Sequence, residues 1–235
     1  LVYGLVHVFF KLYLARSSTS MNINKFSQLE ETVSRQWAWR LHEIDKFKDI
    51  LFESETKIPE DLCNNNEPPV RLLYRIGIVL LYSHWEGFIK NTAKEYMKCF
   101  KGEKIKDVPH SIVIAHYIKI HNKYSKTCTA YECGKSVIEN IDMNKEIKSD
   151  IEDLVSTESN LDSTVLSKIS SFLNLGKEWF ELREKYINNF VGCRNSIAHG
   201  DGRQVSKEEF YGYLEGIKNL LTLYKEKLLD RGKPK

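Results

Sequence analysis

Apolar residues recur every three or four positions between Leu29 and Leu51: Leu29, Val33, Trp37, Leu41, Ile44, Phe47 and Leu51. That spacing is one stripe of a long helix. Ser27 and Glu30 stand just ahead of it as a capping box, with the serine at the N-cap and the glutamate three residues on. The segment from Ser54 to Pro69, which contains CNNNEPP, is turn-rich and ends the helix. Pro69 suits the first turn of a second helix, where its missing N–H costs nothing. This second helix is predicted from Val70 to Phe100. Its opening, LLYRIGIVLLY, is apolar on nearly every side, so it is expected to be central and buried on nearly all sides. Lys98 and Lys101 suit its negative end, and Gly102 closes it.

Periodicity is weaker in the middle of the chain. Ser111 to Ile120 fits helix and strand about equally, Tyr124 to Gly134 reads as loop, and Val137 to Val155 is predicted helical. TESNL, from Thr157 to Leu161, reads as a connector, and Ser163 to Leu173 as a short helix ended by LNLG at Gly176. A long helix is predicted from Lys177 to Ala198, with Trp179, Leu182, Tyr186, Phe190, Val191 and Ile197 as its apolar residues. Gly200 and Gly202 stop it. Ser206 and Glu209 form a second capping box, which opens a last helix to about Leu229. The elements sum to an all-α fold, a helical bundle of four to five main helices.

Composition narrows this picture. With 235 residues, 42% hydrophobic and 29% charged, the chain can bury a sizeable core. Residues 21–235 are expected to form a single domain. The net charge of +3 argues against a charge-driven nucleic-acid coat and leaves room for a local site that engages a few phosphates. Five scattered cysteines (Cys63, Cys99, Cys128, Cys133, Cys193) do not make a disulfide framework, so reduced thiols and a cytoplasmic location are expected. Residues 1–14, LVYGLVHVFFKLYL, fall short of the roughly 20 apolar residues that a membrane span needs. Lys11 and Arg16 sit within or after the apolar run, where a signal peptide would carry its charge before it. Residues 1–20 therefore read as an upstream extension ahead of a start at Met21, and no membrane association is expected.

Candidate chemistry is concentrated in RNSIAHG, Arg194 to Gly200. Arg194, Asn195 and His199 supply a fixed cation, an adaptable amide and a group that titrates near neutral pH. Such a set suits phosphodiester chemistry, in which the arginine neutralises the phosphate and the histidine moves a proton. On a continuous helix Arg194 and His199 lie about 140° apart, so the histidine would have to swing toward the arginine as the helix loosens into Gly200. Spacing alone equally allows an ordinary salt bridge at Arg194 and a helix cap at His199.

The stretch resembles the R-x(4–6)-H signature of the HEPN superfamily of small helical domains. Two further segments resemble its bacterial MAE-type, or RiboL-PSP, branch: LLYSHWEGFIKNTAKEY (Leu80–Tyr96) and STESNLDSTVLSKISSFLNLG (Ser156–Gly176). The similarity runs from about Pro69 to Leu229, with 103–140 matching poorly. It implies a HEPN-like bundle and a metal-independent endoribonuclease that leaves 2′,3′-cyclic phosphate ends, acting as a toxin or anti-phage defence effector. Arg194 would then stabilise the phosphate, His199 act as general acid or base, and Asn195 orient one of them. The resemblance also implies RNA as substrate, a homodimer with a composite active site, and a cognate antitoxin or regulatory protein. The alternative is a non-catalytic HEPN module that binds a nucleotide or a protein partner.

Glu86 lies within the most apolar helix, where an unpaired carboxylate is expensive. It is expected either to support the site by pairing with Arg194 or to pair with Lys90, four residues on. His84 points elsewhere and reads as structural. His110, His116 and His121 with Cys128 and Cys133 lack zinc-ligand spacing, and no metal or other cofactor is expected.

Overall fold

The computed structural model describes residues 21–57, 69–124, 142–148 and 150–234. Six α-helices lie among them: α1 (Ile23–Lys57), α2 (Pro69–Lys98), α3 (His110–Tyr124), α4 (Ser163–Leu173), α5 (Glu184–Ala198) and α6 (Lys207–Gly232). Short 3-10 turns stand at Ile105–Asp107, Ile151–Leu154 and Glu181–Arg183. The fold is an all-α bundle, as the periodicity predicts, with six helices described where four to five were expected.

Helices α1, α2 and α6 form the frame. Lys25, at the start of α1, donates to the carbonyls of Cys99 and Lys101 just past the end of α2. Glu55, near the end of α1, accepts from Tyr74 in the first turns of α2 at 2.6 Å. The two helices therefore run antiparallel. α6 is also antiparallel to α1, since Lys207 pairs with Glu55, Lys218 with Asp45, and Trp37 with Thr222. On α1 the predicted stripe faces inward, with Leu29, Val33, Ile44 and Leu51 buried and Trp37, Leu41 and Phe47 packed against the core. On α2, Ile78, Leu81, Trp85, Phe88, Ile89 and Met97 are fully enclosed.

Several local expectations are overturned. α1 starts at Ile23, and Asn22 caps it by accepting from Asn24 N at 2.9 Å. Ser27 is therefore inside the helix, because Met21 and Phe26 already pack on the core and carry the helix upstream. Described residues 142–155 are not α-helical: Ile105 and Ile147 bond back to Lys145 and Glu103, closing a Lys104–Glu146 bridge. Ile147 is buried by that pairing and Ile151 by the 3-10 turn that follows, so the i, i+4 spacing of the two is met without an α-helix. Residues 137–141, and all of the predicted loop after Tyr124 up to Gly134, lie outside the described residues. Ser111 to Ile120 is helix, part of α3.

The long helix predicted from Lys177 begins only at Glu184. Trp179 and Phe180 both turn into the core, the Trp179 ring 5.5 Å from Tyr224. The chain takes a turn and a 3-10 segment there, and Leu182 is left 96% exposed. Ser206 caps the last helix as predicted, its Oγ accepting from Glu209 N at 3.1 Å, whereas the Glu209 carboxylate pairs with Arg203 rather than closing the box. α2 departs from its expectation of all-round burial in its first turns: Leu72, Ile76 and Val79 are 56%, 48% and 41% exposed. They form an i, i+4, i+7 stripe on the side that α1 and α6 leave uncovered.

Two glycines of α6 test this packing in opposite directions. A Cβ at Gly216 would stand 2.1 Å from the Tyr186 hydroxyl. That hydroxyl lies 3.0 Å from Tyr213 O and 3.2 Å from Gly212 O. Gly216→Ala is expected to cost about 1–3 kcal/mol in urea denaturation through overpacking. Gly212, with nothing within 4 Å of its added Cβ, should instead gain about 0.5–1 kcal/mol as alanine.

Candidate functional site

Helix α5 carries the motif to the protein surface and stops there in a defined way. His199 N bonds to Asn195 O at 2.9 Å, Asp201 N bonds to Ser196 O at 3.0 Å, and Gly200 takes φ +80. This is a glycine-terminated helix end, in which only a residue without a Cβ accepts the left-handed position cheaply. His199 itself keeps helical dihedrals (φ −84, ψ −4). The helix therefore does not loosen before Gly200, and the expected swing of His199 toward Arg194 does not occur within one chain. His199 is exposed, whereas Arg194 and Asn195 are half-buried and turned inward.

The inward pair meets a turn that the sequence presented only as a connector. Thr157 to Asn160 forms a four-residue turn closed by Asn160 N to Thr157 O at 2.9 Å. Its two central residues, Glu158 and Ser159, take φ +52 and +55. For residues with side chains this left-handed geometry costs roughly 1–2 kcal/mol each, so the surroundings must enforce it. Arg194 Nη2 donates to Ser159 O at 3.0 Å, and Asn195 Nδ2 donates to Asn160 Oδ1 at 2.9 Å.

The enforcement comes from α2. Tyr82, Trp85 and Glu86 are spaced i, i+3, i+4 and so share one face. The Tyr82 hydroxyl accepts from Leu161 N at 2.8 Å, the Trp85 indole donates to Leu161 O at 3.2 Å, and Glu86 accepts from the buried Thr157 hydroxyl. Lys168 on α4 holds Glu158 at 2.8 Å. Burial pushes the Tyr82 phenol above its usual range, the Leu161 and Arg194 hydrogen bonds opposing this only in part, so it stays neutral. The Arg194 guanidinium lies over the Tyr82 ring, 3.5 Å from its centroid.

Glu86 forms an ion pair with neither Arg194 nor Lys90; both expected pairings give way to Thr157. The reason is geometric: the buried Thr157 hydroxyl reaches the carboxylate first, and Arg194 is drawn to the ring and the carbonyl. His84 faces the other way, buried against α1 with Glu43 at 3.4 Å and Trp39 at 5.5 Å. Burial lowers its pKa, Glu43 opposing, and favours the neutral imidazole. Tyr82, Thr157, Ser159 and Asn160 were missed in the sequence reading. The only sequence signal for them was the Tyr-x-x-Trp-Glu spacing together with the small polar run TESN.

Beside the motif a shallow groove is lined by Leu72, Ile76, Val79 and Leu80 of α2 and by Ile197 of α5. Among the described residues no three His, Cys, Asp or Glu side chains come together as a metal site. His121, Cys128 and Cys133 fall outside the described side chains. No helix among the described residues is long and apolar enough to cross a membrane.

A family model described as RiboL-PSP-HEPN matches residues 35–230, from α1 through nearly all of α6. The chain belongs to the RiboL-PSP-HEPN family. No curated protein and no solved structure matches it. The match begins within α1, upstream of the Pro69 start of the resemblance visible in the sequence. For a HEPN domain the functional class is RNA cleavage or nucleotide binding, and the RNSIAHG end of α5 is where this HEPN domain combines a cation, an amide and an imidazole.

The turn's anchoring can be measured. Thr157→Val strips Glu86 of its hydroxyl donor and is expected to cost about 1 kcal/mol in urea denaturation, whereas Glu86→Gln keeps an acceptor and costs less. Equal losses from the two variants would remove Thr157 as the anchor of this turn.

Proposed function

We propose that this HEPN domain is a metal-independent endoribonuclease. One observation carries the reading: Arg194 is held in place at the motif with no carboxylate among its described contacts, so its charge is available to an anion. In the proposed reaction the ribose 2′-oxygen attacks the adjacent phosphorus as its proton leaves. The P–O5′ bond breaks, the 5′-oxygen takes up a proton, and a 2′,3′-cyclic phosphate remains. Arg194 stabilises the charge that develops on the phosphate oxygens. His199 transfers a proton at the 2′- or 5′-oxygen. Asn195 orients the phosphate or the imidazole.

Within one chain Arg194 and His199 diverge, so the proposed site is composite, formed across a two-fold axis by two copies. The exposed apolar stripe Leu72–Ile76–Val79, adjoining Ile197 of the motif, is the surface proposed to pack in that homodimer. In the cell we propose a cytoplasmic toxin or defence effector, restrained by a cognate antitoxin or regulatory protein. The separation of the two motif side chains also favours a second reading, a non-catalytic module that binds a nucleotide or protein partner.

Incubation of the protein with mixed RNA in EDTA separates these readings. Cleavage that leaves cyclic phosphate ends is expected, reduced at least about 100-fold in Arg194→Ala and in His199→Ala. A wild type that cleaves nothing, or variants that cleave as it does, removes the nuclease reading. Ile76→Glu, at an exposed position, is expected to give a folded monomer by sedimentation with cleavage lost. An active monomer would sink the composite site.

A further inference from the structure

Several charged side chains of this protein meet opposite charges: Lys218 meets Asp45 at 2.7 Å, Lys207 meets Glu55, and Arg203 meets Glu209. Arg194, like the buried Arg40 of α1 on Gln36 and the Trp39 ring, is held by neutral groups instead, and it alone of the two lies in the RNSIAHG motif. One N–H is used on the neutral Ser159 carbonyl, one face of the guanidinium rests on the neutral Tyr82 ring, and its buried Nε has no partner. Glu86, on the same face of α2 as Tyr82, accepts from Thr157 and makes no ion pair with Arg194. Asn195 is likewise fixed by a neutral group, the Asn160 amide oxygen. The surroundings hold both side chains in place through direct contacts with neutral groups alone.

We propose that the Thr157–Leu161 turn is a clamp that preorganises the motif for a phosphate, with Asn160 the positioning residue for Asn195, and Tyr82 that for Arg194. The clamp rests on the ribonuclease reading for the identity of the anion, and on geometry for its existence. Its design is legible in the contacts. Tyr82 serves twice, its ring beneath Arg194 and its hydroxyl on Leu161 N, so α2 sets the arginine and the turn from one side chain. Trp85 and Glu86 fix the two ends of the turn, which leaves its left-handed centre to aim the Ser159 carbonyl at Arg194. A cation held by a neutral carbonyl acceptor and π density needs no reorganisation when a phosphate arrives, the arrangement in which an electrostatic contact contributes most to a transition state.

The test uses the full chain and two independent readouts. In ¹H–¹⁵N spectra of the free wild type, the Arg194 Nε–H and Asn195 side-chain amide signals are expected to be sharp and displaced from solvent positions. Asn160→Ala should return the Asn195 amide signals toward solvent values and lower kcat about 10- to 100-fold with KM little changed. Its melting temperature should stay within about 3 °C of wild type, because the lost contact is a single, partly buried hydrogen bond. Asn160→Asp keeps the acceptor oxygen but sets an anion beside Arg194; the Asn195 signals should hold while kcat still falls. Tyr82→Leu should broaden the Arg194 signal. Solvent-like signals in wild type, or wild-type kcat in both Asn160 variants, would overturn the clamp. Clamped signals in a protein that cleaves no RNA would sustain the clamp and overturn the nuclease assignment instead.

Discussion

The buried aromatic ridge of α2 is the constraint from which the site follows. Trp85 is fully enclosed and Tyr82 nearly so, yet each carries a polar atom that cannot be left unpaired in the core without a cost of about 1–3 kcal/mol. Both atoms are satisfied by the backbone of one residue, Leu161, the tyrosine through its N–H and the tryptophan through its carbonyl. Glu86, one helical turn beyond Tyr82, secures Thr157 at the other end of the same turn. A hydrogen-bonding requirement of the core thereby pins a surface loop, and that loop holds Arg194 and Asn195.

The same logic explains why the motif is not neutralised. An arginine ordinarily gains from a carboxylate, as Arg203 does at Glu209. At α5 Glu86 bonds to the buried Thr157 hydroxyl, and the guanidinium takes a ring face and a carbonyl. The left-handed residues Glu158 and Ser159 store strain for that arrangement, as sites that bind ligands often do. Stability is given up locally, and a fixed positive charge is obtained in return.

α2 also links the site to its proposed partner. The helix is buried where α1 and α6 cover it and bare where they do not, and the bare stripe Leu72–Ile76–Val79 runs beside Ile197 of the motif. A second copy covering that stripe would bring a second motif close by. The glycine stop after His199 suits this arrangement, because it leaves the imidazole exposed at the helix end.

By itself the sequence determined the helical class, the inward stripe of α1, the centrality of α2, the Ser206 cap and the location of the motif at a glycine-stopped helix end. These follow from periodicity and from backbone preferences, which are local. The tertiary structure alone decided the break at Trp179–Phe180, where two adjacent aromatics both enter the core, and the pairing of 143–147 with 102–106, the segment that follows α2. It also decided the partners of Arg194, Asn195 and Glu86. Those contacts join residues 35 and 71 positions apart, and no helical spacing encodes a hydrogen bond across such a gap. The motif was legible because it is contiguous, whereas the turn that holds it was not, because its meaning depends on which helix face it meets.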